Sequence, residues 1–200
     1  DGHNNDINIS KGSFNTQKID LSIDGKENNY DYFIGFTNFS TDGESAMRDN
    51  TEDHGYRSDS LTMNYGYNFN ENLRVESYLY HNDSFLEYDS VNKSRTDSND
   101  VTDDQSTSYT GRLIYDMGNL KNTISYNNTY IIRNTTGYDS AKTNYYGYRD
   151  AINFLSEYNF DLDNRIIFGL DNEFDAAELK SYYADNKYIE SDEAIYSQYF

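Results

Sequence analysis

The 200-residue chain contains no cysteine, no proline and no tryptophan. Without cysteine there is no disulfide, no thiolate metal site and no thiol nucleophile; an oxidising or extracytoplasmic location is compatible with that usage but not established by it. Basic residues are also scarce, 16 Lys and Arg against 35 Asp and Glu, for a formal charge of −19. Phosphate recognition needs clustered positive charge, so nucleic acid is excluded as a partner, and acidic loops facing outward are the simpler use of the charge. No stretch approaches the roughly 18 consecutive apolar residues of a membrane helix, and no basic-then-apolar signal segment opens the chain. A helical membrane protein is excluded; a β-barrel, which crosses with alternating strands, is not.

What the chain does contain is tyrosine, 22 residues of it, with 11 phenylalanines. Only 36% of residues are hydrophobic and the mean hydropathy is −0.97. Disordered chains are poor in aromatics, so this polarity needs another origin. A sheet with one apolar and one wet face supplies it.

The order of residues supports that reading. Leu61, Met63, Tyr65, Tyr67 and Phe69 alternate with Thr62, Asn64, Gly66 and Asn68, which places the apolar groups on one side of a strand. Ile19, Leu21 and Ile23 repeat the pattern, as do Leu120 to Ile132 with two Asn on the apolar side, Ile152 to Phe160, and Ile166 to Phe174 with charge on the opposite side. No helix of convincing period is present beyond a short turn expected near Asp175 to Leu179.

The connections are of two kinds. Asp24 to Asn29, Asn68 to Asn72, Asp116 to Asn119 and Asn159 to Asn164 are short and rich in Asn, Asp and Gly. Between them lie longer polar segments at 42–58, 89–106, 138–144 and 180–191, with Gly12 to Thr16 as a short exception. Such alternation predicts an all-β, antiparallel, up-and-down transmembrane barrel with short periplasmic turns and long external loops. About ten strands are expected: Asp6 to Phe14, Thr16 to Asp24, Tyr30 to Thr41, Asp59 to Phe69, Leu73 to Tyr88, Thr107 to Asp116, Leu120 to Arg133, Tyr146 to Phe160, Arg165 to Glu178, and from Asp192 onward. Asp1 follows no initiator methionine, and Phe200 falls within the alternating run Ala194, Tyr196, Gln198, Phe200. Because a barrel in lipid has no open edge, residues 1–200 are expected to be one partial barrel domain of a larger protein.

Three segments resemble the TonB-dependent outer-membrane receptors, particularly those for vitamin B12 and siderophores. Ile7 to Thr16 is similar to the first barrel strand and tight turn that follow the plug. Tyr30 to Phe36 leading to Thr41-Asp42-Gly43 resembles the third strand and its exit into a long external loop. Asp53-His54-Gly55-Tyr56, followed by Leu61 to Asn70, resembles the re-entry into the fourth strand. Their order and spacing agree over the first half of the chain; the second half matches in rhythm. The resemblance implies the early part of a 22-stranded barrel in the outer membrane of a Gram-negative bacterium, lacking the plug, the TonB box and the closing strands. Its partners would be outer-membrane lipids, a small-molecule metal chelate or cobalamin, and TonB acting through a plug domain outside this chain. A passive porin and a soluble β-sandwich module for binding or adhesion are the alternatives.

The resemblance also suggests calcium in an external loop, with Asp49, Glu52 and Asp53 as ligands, since hard cations take several carboxylate oxygens. His54 stands where an acidic ligand would be expected. A second acidic group, Asp97, Asp100, Asp103 and Asp104, is a candidate contributor; no EF-hand spacing occurs, and simple solvated loop carboxylates are the plainer reading. His3, His54 and His81 lack metal-binding spacing, and no serine is marked as activated, so no catalytic residue, no enzymatic activity and no required cofactor are expected. Tyr67, Tyr80, Tyr115, Tyr130 and Tyr158 are candidates for the aromatic girdles at the two membrane interfaces. Tyr145, Tyr146, Tyr148, Tyr182 and Tyr183 are candidates to touch a ligand from loop tips.

Overall fold

The computed structural model describes residues 2–44, 53–89, 100–137, 141–162 and 164–200. It is a single sheet of ten antiparallel strands in sequence order: β1 (Gly2–Lys11), β2 (Gln17–Glu27), β3 (Tyr30–Thr41), β4 (Tyr56–Asn68), β5 (Leu73–Tyr88), β6 (Asp100–Asp116), β7 (Leu120–Gly137), β8 (Ala141–Asn159), β9 (Arg165–Ser181) and β10 (Asp185–Tyr199). Each strand pairs with its sequence neighbours, and among the described residues β1 and β10 do not pair with each other, so the sheet is open. The expected up-and-down, all-β topology is therefore present as a ten-stranded sheet.

Local chemistry explains where the strands reverse. At β4–β5, Asn70 Oδ1 accepts from the backbone N–H of Asn72 and of Leu73, both at 2.9 Å. Asp116 does the same for Gly118 N–H at 2.8 Å, with Gly118 at φ 80°, and Asp161 for Asn164 N–H at 2.9 Å. These side chains mimic a backbone turn and satisfy donors that the ladder has released. The β1–β2 turn differs. Phe14 and Asn15 sit at φ 54° and 51°, a conformation that Asn tolerates and Phe adopts at a cost of roughly 1–2 kcal/mol.

Register divides the residues into two faces. Ile34, Met63, Leu79 and Tyr109 are successive partners across β3–β6 on one face, while Phe33, Asn64, Tyr78 and Thr110 follow on the other. The first face is apolar along the half of the sheet nearest the short turns; the second is mainly polar and charged, with Phe33, Phe39, Ile114, Ile131, Leu155 and Ile167 dispersed over it. Among the described residues nothing covers the apolar face: the one buried hydrophobic residue, Ala151, is on the other face, and Ile34's neighbours Ile23, Met63 and Tyr65 are all substantially exposed.

Several boundaries differ from expectation. β3 and β5 run as expected. β6 begins at Asp100 rather than Thr107, β7 continues to Gly137, and β8 begins at Ala141, so the expected polar segment 138–144 is mostly strand. The segment 180–191 is also no long loop: Ser181 N–H donates to Ala184 O at 2.7 Å, and β10 starts at Asp185. The helical turn expected near Asp175 to Leu179 is strand, paired from both sides with Tyr145–Arg149 and with Asn186–Glu190. In each case backbone pairing with one or two neighbouring strands outweighs the local polarity that reads as loop, because a ladder needs no apolar side chain to form. The alternation of short and long connections consequently holds from β2 to β7, with the short β1–β2 link as the exception, and gives way to long strands with short links thereafter.

Candidate functional site

On the polar face, near the short turns, four charged residues far apart in sequence converge. Arg74 at the start of β5 reaches across β4: its Nη2 donates to Asp31 Oδ1 and Oδ2 on β3 at 2.8 and 2.9 Å, and its Nε donates to Glu76 Oε1 at 2.9 Å. Glu76 Oε2 accepts from Arg112 Nη1 on β6 at 3.1 Å. The reach is possible because the strand between carries Gly66, the register partner of both Asp31 and Glu76. A Cβ there would lie 2.0 Å from Arg74 Nη2 and 2.5 Å from Asp31 Oδ2. The missing side chain is what lets the guanidinium lie flat over β4.

The network borders an open depression of about 400 Å³ lined in part by Asn64, Thr110 and Arg112. Asp31, Glu76 and Arg112 retain substantial exposure. Two guanidinium groups and two carboxylates balance in charge. Arg112 makes one bond to Glu76 and is half-exposed, so this corner can offer planar donors to a carboxylate or carbonyl of another segment.

Farther along the same face the polar groups form a ladder. Thr110 Oγ1 donates to Asn127 Oδ1 at 2.9 Å, Asn127 Nδ2 to Asn153 Oδ1 at 3.0 Å, and Asn153 Nδ2 to Asp171 Oδ1 at 2.8 Å, linking β6 through β9. Above it Arg149 clamps Asp175 with Nε and Nη2 at 2.8 and 3.0 Å and also pairs with Glu173. Arg133 Nε donates to Asp104 Oδ1 at 2.6 Å. This face satisfies its own polar groups side chain to side chain.

Of the expected calcium ligands, Asp49 and Glu52 lie outside the described residues; Asp53 is described and exposed, just before β4. His54, beside it, turns inward: its Nε2 lies 3.2 Å from Asp89 Oδ2, ion-pair distance for a protonated imidazole, and both side chains are largely buried. Gly55 N–H donates to Glu87 Oε2 at 3.0 Å, tying the same corner together. The second acidic group does not converge. Asp97 lies outside the described residues, Asp100 is buried at the start of β6, and Asp103 and Asp104, as neighbours in a strand, point to opposite faces. Among the described residues, no three His, Asp or Glu side chains come close enough to hold a metal ion.

The girdle tyrosines are placed unevenly. Tyr67, Tyr115 and Tyr158 lie on the apolar face beside short turns, two of them stacked edge-on to Phe69 and Phe160 with centroids 4.9 Å apart. Tyr130 is on that face farther from the turns. Tyr80, the register partner of Thr62 and Ser108, is on the polar face, contrary to expectation, because β5 keeps strict alternation through Leu79 and His81. Tyr145 lies on the polar face and Tyr146 and Tyr148 on the apolar one, so strand parity separates them. Tyr182 and Tyr183 sit at the exposed β9–β10 tip with rings 4.9 Å apart. No protein-family model matches the chain, and no curated protein matches it.

Proposed function

We propose that this chain is part of the wall of an outer-membrane β-barrel in a Gram-negative bacterium. The observation that carries the reading is the uncovered apolar face opposite a self-satisfied polar one. A sheet of this size buries its apolar side against a second layer or against lipid, and no second layer accompanies the ten strands among the described residues. The tight turns at one edge and the strands longer than a bilayer needs point the same way.

Within that class, the resemblance of Ile7 to Thr16, Tyr30 to Gly43 and Asp53 to Asn70 favours a TonB-dependent receptor that takes up a scarce nutrient such as a siderophore–metal chelate or cobalamin. The polar face would then surround a plug domain, with the Arg74–Glu76–Arg112 corner as one of its contacts and TonB coupled through the plug. Calcium at Asp49, Glu52 and Asp53 rests on that resemblance alone. The charged groups facing one side, Arg112, Arg149, Asp171 and Glu173 among them, favour a second reading, a passive porin whose lumen they would line.

The test is accumulation of labelled cobalamin and ferric siderophores by cells expressing the full-length protein, with and without TonB. Accumulation above the medium that requires TonB supports the receptor. Equilibration indifferent to TonB supports the porin and removes the receptor.

A further inference from the structure

Resting on the membrane-wall reading, we infer that the apolar face carries a built-in outer membrane boundary: a belt of hydrogen-bonded polar pairs that faces the headgroup layer and fixes how deep the sheet sits. The belt is read from register. On the apolar face, Asn38 and Asp59 are direct partners across β3–β4, and Asn38 Nδ2 donates to Asp59 Oδ1 at 2.6 Å. His81 and Thr107 are direct partners across β5–β6, with Nδ1 and Oγ1 2.8 Å apart. Asn128 Nδ2 donates to Asp150 Oδ1 at 2.9 Å across β7–β8, and Asn172 Nδ2 to Glu193 Oε1 at 3.3 Å across β9–β10. Lys11 and Gln17 occupy the matching partner positions on β1–β2.

The spacing between pairs is regular. Gln17 pairs with Ser40, Asp59 with Asp83, Thr107 with Tyr130 and Asp150 with Phe174; each time the next belt residue lies two positions from that partner, toward the short turns. The belt therefore advances by about one residue per strand. With about 3.4 Å per residue and 4.8 Å between strands, a line with that slope crosses strands tilted about 35° from its normal, within the range of membrane barrels. The short turns follow the same slope. Asn38, His81, Asn128 and Asn172 each lie about eight residues beyond the start of their strand, which at that tilt is about 22 Å of height, close to the apolar band of an outer-membrane barrel.

Between belt and turns the apolar face of β3–β10 contains no Asp, Glu, Lys or Arg. Beyond the belt it turns to Ser40, Arg57, Asp83 and Gln105 on β3–β6, and on β7–β9 it passes through Tyr130, Ile132, Tyr146, Tyr148, Phe174 and Ala176 before reaching Asn134, Lys142 and Glu178. Tyr126 below Asp150 and Tyr148 above it both donate their hydroxyls to its carboxylate, the former at 2.7 Å, an arrangement that suits the interface, where rings stay in the acyl region and hydroxyls meet polar groups. The pairing matters because each carboxylate or amide at this depth brings its own partner and needs none from lipid.

Single cysteines are easily introduced into a chain that has none. Nitroxides at Ile34, Asn38 and Ser40 on β3, and at Ile124, Asn128 and Asn134 on β7, would be read in the full-length protein in phosphatidylcholine vesicles by relaxation with oxygen and with a water-soluble nickel chelate. Oxygen preference at Ile34 and Ile124 that crosses to nickel preference at Asn38 and Asn128 is the expected result. Oxygen preference persisting through Ser40 and Asn134 would overturn the belt while leaving the membrane reading in place. No oxygen preference at any site would remove both. Should labelling prevent insertion, Ile124→Trp and Asn134→Trp quenched by lipids brominated at mid-chain give the same comparison: strong quenching at 124 and weak at 134 supports the belt, and equal strong quenching overturns it.

Discussion

The two faces of this sheet share every backbone hydrogen bond and differ in how their side chains are satisfied. On the polar face the side chains answer one another, from Asp31–Arg74–Glu76–Arg112 near the turns to Thr110–Asn127–Asn153–Asp171 and Arg149–Asp175 higher up. On the apolar face, Ile34, Met63, Leu79, Ile124 and Phe168 meet no second layer among the described residues; between turns and belt the polar side chains of β3–β10 other than tyrosine are the uncharged Ser77, Asn122, Ser156 and Ser197, and the belt carboxylates stand in bonded pairs at a fixed distance from the turns. One face is bonded largely within the sheet; the other is left uncovered among the described residues, and on the proposed reading lipid covers it. That asymmetry assigns opposite tolerances to adjacent residues.

The largest effect should come from Ile124→Lys. It places a charge on the apolar face below the belt, with an expected cost of about 2–4 kcal/mol, while Ser125→Lys, one residue on and facing the other way, should change stability by less than about 1 kcal/mol. Urea unfolding of the vesicle-inserted protein compares them, and equal costs would erase the distinction between the faces. Next is Gly66→Val, whose side chain occupies the path of Arg74. The clash together with loss of the charge-assisted bonds to Asp31 and Glu76 should cost about 2 kcal/mol, most of which should vanish in an Arg74→Met background if the clash with Arg74 is the cause.

Arg74→Met alone should cost about 1 kcal/mol at low ionic strength and less in 1 M salt, because the group is only partly shielded from solvent; a cost independent of salt would assign its role to packing. The smallest effect is expected at Phe14→Gly. Relief of the left-handed backbone, offset by the flexibility glycine gains when unfolded, should leave a gain of about 0.5 kcal/mol, and a loss would show that the Phe14 ring contributes contacts worth more than its strain.

Much of the fold could be read from alternation, and the exceptions have physical causes. β3 and β5 are each entered from an Asn-rich turn and keep apolar residues at most alternate positions as far as Phe36 and Leu79, so they are legible as strands. The first residues of β6, Asp100 to Ser106, are polar on both faces and read as loop, yet they pair with β5 and β7. Residues 185–191 of β10 read as loop for the same reason: polar groups stand on both faces there, and alternation loses its signal. The Arg74 corner was hidden because its members come from β3, β5 and β6; once the short turns fix the register, Gly66 between two acidic partners is the signal that exposes it. In the sequence His54 stands out only as a departure from an acidic ligand set; its pairing with Asp89 depends on a tertiary approach that no spacing encodes.

The central claim is that the apolar face meets lipid. Refolding the urea-denatured full-length protein by dilution into phosphatidylcholine vesicles and, in parallel, into buffer alone tests it directly, with far-ultraviolet circular dichroism and heat-modifiable electrophoretic mobility as readouts. β-structure and a mobility shift are expected with vesicles only; cooperative, fully formed β-structure in buffer without lipid or detergent would show that the apolar face does not need lipid.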